Sequence, residues 1–235
     1  MLVLGIETAT PQVGVAIGGH EGVLASFHSA RDRRHAETLA PAVRFVTDQA
    51  RIELSEISVI AVDVGPGLFT GMRVGLATAK ALAHALRIPM IPVSSLDLVA
   101  FPLRYCSRRI VAVLDARRGE VFHAAYRQVP GGIQRLTEPQ VALPRELSGE
   151  LDALGEDALL VGDGAVRYAD SFVGRAGIEI GERGLQYPSA QSLVQLAHAA
   201  ALREDFVNPW EVEAVYLRQP DAVANWRTRA RETGS

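Results

Sequence analysis

Residues 2–28 read LVLGIETATPQVGVAIGGHEGVLASFH, and this stretch decides the fold. Leu2–Ile6 is an apolar run that ends at Glu7. Val13, Val15 and Ile17 alternate with small residues, Gly18 to Gly22 supply a turn around His20 and Glu21, and Val23–His28 follows. Successive side chains of a strand point to opposite faces, so period-two spacing broken by a glycine cluster predicts a three-stranded antiparallel meander. A dinucleotide-binding Rossmann unit would open strand, helix, strand instead.

Working outward, Leu39, Val43, Val46 and Ala50 recur at helical spacing, with Glu37, Arg44, Asp48 and Arg51 between them. Pro41 inside this pattern predicts a late start or a kink. Ile57–Val64 is rich in β-branched residues and apolar on both faces, as a buried parallel strand is. Gly65–Gly71, GPGLFTG, turns the chain into a helix over about Thr70 to Leu86, with Thr70 as its expected N-cap. Met90–Val93 reads as a strand, and Ser94 or Ser95 caps a short helix. The order β-β-β-α-β-α-β-α is that of ribonuclease H-like, actin-like domains. The second half starts again: Ile110–Asp115 is a strand with an acidic end, Arg117–Gly119 a turn, Glu120–Val129 a second strand and Ile133–Leu136 a third. Leu159–Val161 precedes Gly162-Asp163-Gly164, and Ser192–Arg203 is a helix. The expectation is an α/β protein of two actin-like subdomains, residues 1–105 and 106–235, each a mixed sheet flanked by helices. The chain after Pro220 reads as a frayed basic tail.

The chain has 235 residues, 48% of them hydrophobic and 22% charged, enough to bury a core without staples. Its single cysteine, Cys106, excludes an intrachain disulfide and a cysteine-rich zinc site. No apolar run approaches the ~18 residues that span a bilayer, and the N-terminus lacks the basic region of a signal peptide. A cytoplasmic protein with no membrane contact is expected. A net charge of −3 disfavours a stand-alone nucleic-acid binder.

In an actin-like ATPase the first hairpin of each half touches nucleotide phosphate. It needs an acid to organise the metal and a glycine so that backbone N–H groups can approach. Here the first turn is Glu7-Thr8-Ala9-Thr10: Glu7 keeps the charge, Thr8 and Thr10 keep hydroxyls, and Ala9 adds a methyl. The second is Asp115-Ala116-Arg117-Arg118, with two arginines where small residues belong. Gly162 and Gly164 resemble a remnant of the adenosine-contacting turn. A working ATPase, a degenerate cleft built of Glu7, Thr8, Thr10, Asp115, Gly162 and Gly164, and plain hairpin turns all stand as readings. GPGLFTG is one residue too long for a dinucleotide loop, and no acid ends the following strand at Val93-Ser94-Ser95, so a tight turn is the better reading. Gly71, Gly75, Ala79 and Ala83 fall four apart. Glycine inside a helix costs about 1 kcal/mol relative to alanine, so Gly75 needs a close neighbour, either the protein's own core or another subunit. The six histidines are scattered. His35 reads as an exposed helix-start residue, and Leu39 stands at its i+4 position, so a two-histidine metal clamp does not form there. No G-x-S-x-G, H-E-x-x-H or Walker A pattern occurs. Arg218 and the arginines beyond it read as a solvated tail rather than phosphate contacts.

LGIETATPQVGVAI (4–17), VDVGPGLFTGMRVGLATAKALA (62–83), VSSLDLVA (93–100) and VLDARRGEVFHAAY (113–126) together resemble the TsaB (YeaZ) family, within the wider Kae1/TsaD/glycoprotease-like group. The similarity covers most of the chain up to Tyr126 and returns at Val215-Tyr216-Leu217-Arg218. The resemblance implies a degenerate actin-like ATPase without catalytic residue, metal or cofactor of its own. It implies an accessory subunit of TsaD, the enzyme that transfers a threonylcarbamoyl group to the adenosine beside the anticodon in tRNAs reading codons that begin with A. TsaD-like proteins hold their metal on a two-histidine helix motif, which Leu39 interrupts here. A TsaE-like ATPase completes the complex, tRNA is met only through it, and the chain alone forms a homodimer. The implied partner contact is the first two helices, through Leu39, Val43, Val46, Gly71, Met72, Gly75, Leu76, Ala79 and Ala83. The rival expectations are a glycoprotease-like metallopeptidase and an actin-like ATPase with its own activity.

Overall fold

The computed structural model describes residues 1–30 and 35–218. The first half comprises β1 (Leu2–Glu7), β2 (Val13–Gly19), β3 (Gly22–Ser29), α1 (His35–Ala50), β4 (Val59–Asp63), α2 (Phe69–Leu86), β5 (Met90–Val93) and α3 (Ser95–Ala100). The second comprises β6 (Arg109–Arg117), β7 (Glu120–Val129), β8 (Gly132–Arg135), β9 (Gln140–Ala142), α4 (Pro144–Leu154), β10 (Ala158–Val161), α5 (Asp163–Arg167), β11 (Ile178–Ile180) and α6 (Ala190–Ala201).

The two sheets repeat one plan. The first runs β3-β2-β1-β4-β5 and the second, read in the same sense, β8-β7-β6-β10-β11, with β9 paired to β7. In both, three strands meander antiparallel and the last two join parallel to the first strand of the meander. This is the actin-like, ribonuclease H-like arrangement, and the sequence expectation for the fold class holds.

The first sheet is covered on both faces. Leu4, Ile6, Val15 and Ile17 meet Leu39, Val43 and Val46 of α1 and Ala79 and Ala83 of α2. Val3, Ala16 and Ala61 meet Leu193, Val194 and Ala197 of α6 on the other side. Helix α6 therefore returns from the second half of the chain to the first sheet. Conversely, α3 packs Leu96, Val99 and Ala100 against Ile110, Ala112 and Tyr126 of the second. Asp97 of α3 accepts from the Tyr126 hydroxyl at 2.8 Å and from Arg135 at 2.7 Å, tying the end of the first half to β7 and β8.

Two local expectations are corrected and one is met. Helix α1 starts at His35 and runs through Pro41, whose ring lies on the exposed side. Helix α2 starts at Phe69 with Leu68 at its N-cap and no side-chain cap, so Thr70 lies inside the helix. The Leu68 N–H donates instead to the Ala9 carbonyl at 2.6 Å, which fixes the helix entry from the turn after β1. Ser94, one of the two expected caps, does cap α3, accepting from the Leu96 N–H.

Candidate functional site

The turn after β1 is closed upon itself. Glu7, Thr8 and Thr10 are buried, at 0%, 1% and 4% exposure. Glu7 Oε1 accepts from the Ala9 N–H at 2.9 Å and lies 3.5 Å from the Thr10 hydroxyl. Thr8 Oγ1 donates to the Gly71 carbonyl at 2.8 Å. The Thr10 carbonyl is bonded to His35 Nε2 at 2.8 Å, and His35 is 4% exposed. His35 is thus a buried clamp between α1 and this turn, not the exposed helix-start residue expected. Helical spacing around His35 gave no sign of a turn 25 residues upstream.

The sequence reading missed Asp63. Ile6 pairs with Val62 in the parallel register of β1 and β4, which brings Glu7 and Asp63 side by side at the strand ends. Asp63 Oδ1 accepts from the Gly65 N–H at 2.8 Å and from Ser95 Oγ at 2.6 Å. Burial pushes the Asp63 carboxyl up to about 7, against the pull of those two donors. Burial, then the neighbouring Asp63 charge, holds Glu7 well above the carboxylate range. The signal was present: an acid closes the apolar run of β4 as Glu7 closes β1 and Asp115 closes the apolar part of β6.

The second turn is held differently. Asp115, its side chain 4% exposed, faces Arg117 at 3.2 Å and Arg167 at 3.6 Å and accepts from the Tyr168 hydroxyl at 3.0 Å. The Asp115 N–H donates to Asp163 Oδ1 at 2.9 Å, and burial pushes Asp163 up to about 6. Arg117 and Arg118 both adopt left-handed backbone, φ 65° and 54°. Gly162 and Gly164 lie flat on β6, where a methyl on Gly162 would overlap the Val113 carbonyl. They let α5 approach the strand closely. Tyr187, held above its usual range mainly by burial and also by the Asp163 charge, precedes Pro188, whose carbonyl accepts from Gln12 at 2.6 Å. The segment 187–188 therefore runs between the two turns. Arg218 is not a solvated tail residue: it donates to the Ala116 carbonyl and to Glu120 Oε2, both at 3.0 Å. The arginines beyond it lie outside the described residues.

The small-residue stripe of α2 faces inward. A methyl on Gly71 would overlap the Thr8 carbonyl, and one on Gly75 would overlap Thr8 Oγ1. Leu39, Val43, Val46, Met72, Ala79 and Ala83 are buried in the first subdomain, and Leu76 is partly buried against the same core. The close neighbour that Gly75 demanded is Thr8, in the turn after β1, so these nine residues are not a free docking surface. The sides of the helices turned to solvent carry Ala36, Ala40, Arg44 and Phe45 on α1 and Arg73, Ala77, Ala81 and Ala85 on α2.

Among the described residues, no group of three or more His, Cys, Asp or Glu is placed to hold a metal ion. Among the described residues, no helix is long and apolar enough to cross a membrane. A family model for tRNA N6-adenosine threonylcarbamoyltransferase (TsaD) matches residues 22–226. The chain is 31% identical to the tRNA threonylcarbamoyladenosine biosynthesis protein TsaB of Escherichia coli, over 93% of this chain and 95% of that protein. The chain belongs to this family, in its TsaB (YeaZ) branch. The crystal structure of YeaZ from Pseudomonas aeruginosa superposes with a TM-score of 0.81 at 29% identity, covering 92% of this chain and 99% of that one. An uncharacterized protein of Mycobacterium leprae is 36% identical over 94% of this chain, which spans 56% of that protein's length. TsaB-family membership thus covers both subdomains.

Proposed function

We propose that this chain is the non-catalytic accessory subunit of a threonylcarbamoyltransferase complex, taking part in formation of threonylcarbamoyladenosine in tRNA. The observation that carries the reading is the closed first turn. In a member of this family the acid that would organise a nucleotide's metal, Glu7, is fully buried, and the Ala9 N–H and Thr10 hydroxyl already surround its Oε1. The name borne by the relatives from Escherichia coli and Bacillus subtilis supports the pathway.

The partner is a TsaD-like catalytic subunit, held so that its own site is ordered. A TsaE-like ATPase joins the same assembly, and tRNA is met through it in the cytoplasm. The contact uses the outward faces of α1 and α2. Ala77, Ala81 and Ala85, all exposed, form a second four-residue spacing there, and such a smooth face admits another helix closely. A second copy occupies the same face when the partner is absent. The test is capture of the TsaD-like subunit by Ala81→Arg, which keeps the inner stripe intact. Loss of capture with an unchanged melting temperature supports the reading, and undiminished capture removes this face from it. ATP turnover by the isolated chain would favour the rival ATPase, and peptide cleavage the rival peptidase.

A further inference from the structure

We propose that Glu7 and Asp63 form a proton-sharing pair, in which one proton held between Glu7 Oε2 and Asp63 Oδ2 occupies, at neutral pH, the place where a working cleft would keep a charged acid. The inference rests on β1 and β4 alone and stands or falls independently of the accessory-subunit reading.

Each carboxyl has one oxygen satisfied and one left over. Glu7 Oε1 takes the Ala9 N–H, and Asp63 Oδ1 takes the Gly65 N–H and the Ser95 hydroxyl. Glu7 Oε2 and Asp63 Oδ2 are both fully buried and without a hydrogen-bond partner. The parallel register sets the two side chains next to each other. Two adjacent buried carboxylates repel, and a buried acceptor without a donor carries its full desolvation penalty. One proton removes both faults, because it converts one leftover oxygen into a donor for the other and leaves one charge on the pair instead of two.

The groups that face the pair supply no compensating positive charge. From α3 comes Asp97, a further acid, itself taken by Arg135 and Tyr126. From α1 comes His35, whose Nε2 is engaged by the Thr10 carbonyl. Gln12, beside Glu7, donates an amide N–H to the Pro188 carbonyl and also offers a donor to Glu7, which lowers its titration but brings no charge. The α2 face over Thr8 is Gly71 and Gly75, and the α6 face over β1 is Ala190, Leu193 and Val194, all uncharged. Among the described residues no basic side chain pairs with either acid. The second half is the internal contrast: Asp115, beside Asp163, is met by Arg117, Arg167 and Tyr168. One half of the repeat neutralises its acids with arginine, and the other does so with a proton.

The consequence is mechanical. Through their satisfied oxygens the pair ties the turn after β1, the entry to α2 at Gly65 and the start of α3 at Ser95 into one unit. Loss of the proton sets two like charges against each other at the root of α2.

The test is infrared spectroscopy of the full chain, with Asp63→Asn and Glu7→Gln as near-isosteric variants. The expected result is a protonated-carboxyl C=O band at neutral pH that shifts in frequency in both variants, because each variant removes one of the two oxygens between which the proton is held. It should fade from the wild type as pH rises through and beyond about 7, the range to which Asp63 is displaced. Thermal melts of the same proteins give a second readout: the wild-type melting temperature falls between about pH 5 and 8 while that of Asp63→Asn stays flatter and ends higher. Absence of the band in the wild type overturns the proposal. So does a melting temperature raised by magnesium or potassium in the wild type and not in the variants, which would assign the two oxygens to a cation. Should one variant fail to fold, the wild-type band and the other variant decide.

Discussion

Glycine 71 and aspartates 63 and 163 carry the most exposed consequences of the fold at the scale of single residues. Alanine at Gly71 gains about 1 kcal/mol of helix propensity but drives a methyl into the Thr8 carbonyl. Overpacking of that kind costs about 1–3 kcal/mol, and a backbone oxygen cannot swing aside, so Gly71→Ala is expected to be net destabilising in urea unfolding. The sign of the pH dependence follows from the raised acids. In the unfolded chain an aspartate titrates near ~3.9; folded, Asp63 and Asp163 titrate at about 7 and about 6. The folded state binds the extra protons, so their contribution is fully present below about pH 4 and is lost as pH rises through about 6 and 7. Asp163→Asn should flatten the lower part of that decline in a melting-temperature profile. The residues of both turns were legible in the sequence because an acid closing an apolar run is a local pattern. What each one touches was not. Thr8 meets Gly71 across 63 residues, and no spacing rule reports a contact of that range.

Helix α2 shows what element-scale patterns decide and what they leave open. Its inner stripe, Gly71, Gly75, Ala79 and Ala83, and its outer one, Ala77, Ala81 and Ala85, have the same four-residue spacing. Periodicity announces a close approach without saying from which side, and the burial of β1 resolved it. The two stripes should therefore separate stability from assembly. Gly75→Leu, which drives a bulky side chain into Thr8 and Ile6, is expected to lower the urea denaturation midpoint. Ala81→Arg, on the solvent side, should leave unfolding free energy within about 0.5 kcal/mol of wild type, and its effect should appear in partner capture alone. Strands and helices with strong period-two or 3.6 patterns were readable from the chain. Helix α4 and the three-residue β9 and β11 were not, since α4 carries Ser148 and Gly149 in its middle and three residues hold too few alternations to register.

At the scale of the whole molecule, the repeated plan of two sheets was legible as a repeat of strand order. The exchange of helices across it was not, because α6 follows the second sheet in sequence and covers the first in space. A strap closes the arrangement: Val207 bridges Met90 at the edge of the first sheet, the Val215 N–H donates to the Val64 carbonyl at 2.8 Å, and Arg218 reaches the second hairpin. Val212, 2% exposed, plugs this strap into the first core. Val212→Ala is expected to lower unfolding free energy by about 1–3 kcal/mol, read as a lower denaturation midpoint. The central claim is that the molecule serves a catalytic relative while its own first turn stays shut. It is tested most directly by reconstituting threonylcarbamoyl transfer to tRNA from the TsaD-like and TsaE-like subunits with and without this chain. The account predicts product only when the chain is added and no ATP turnover by the chain alone; full-rate modification in its absence would contradict it.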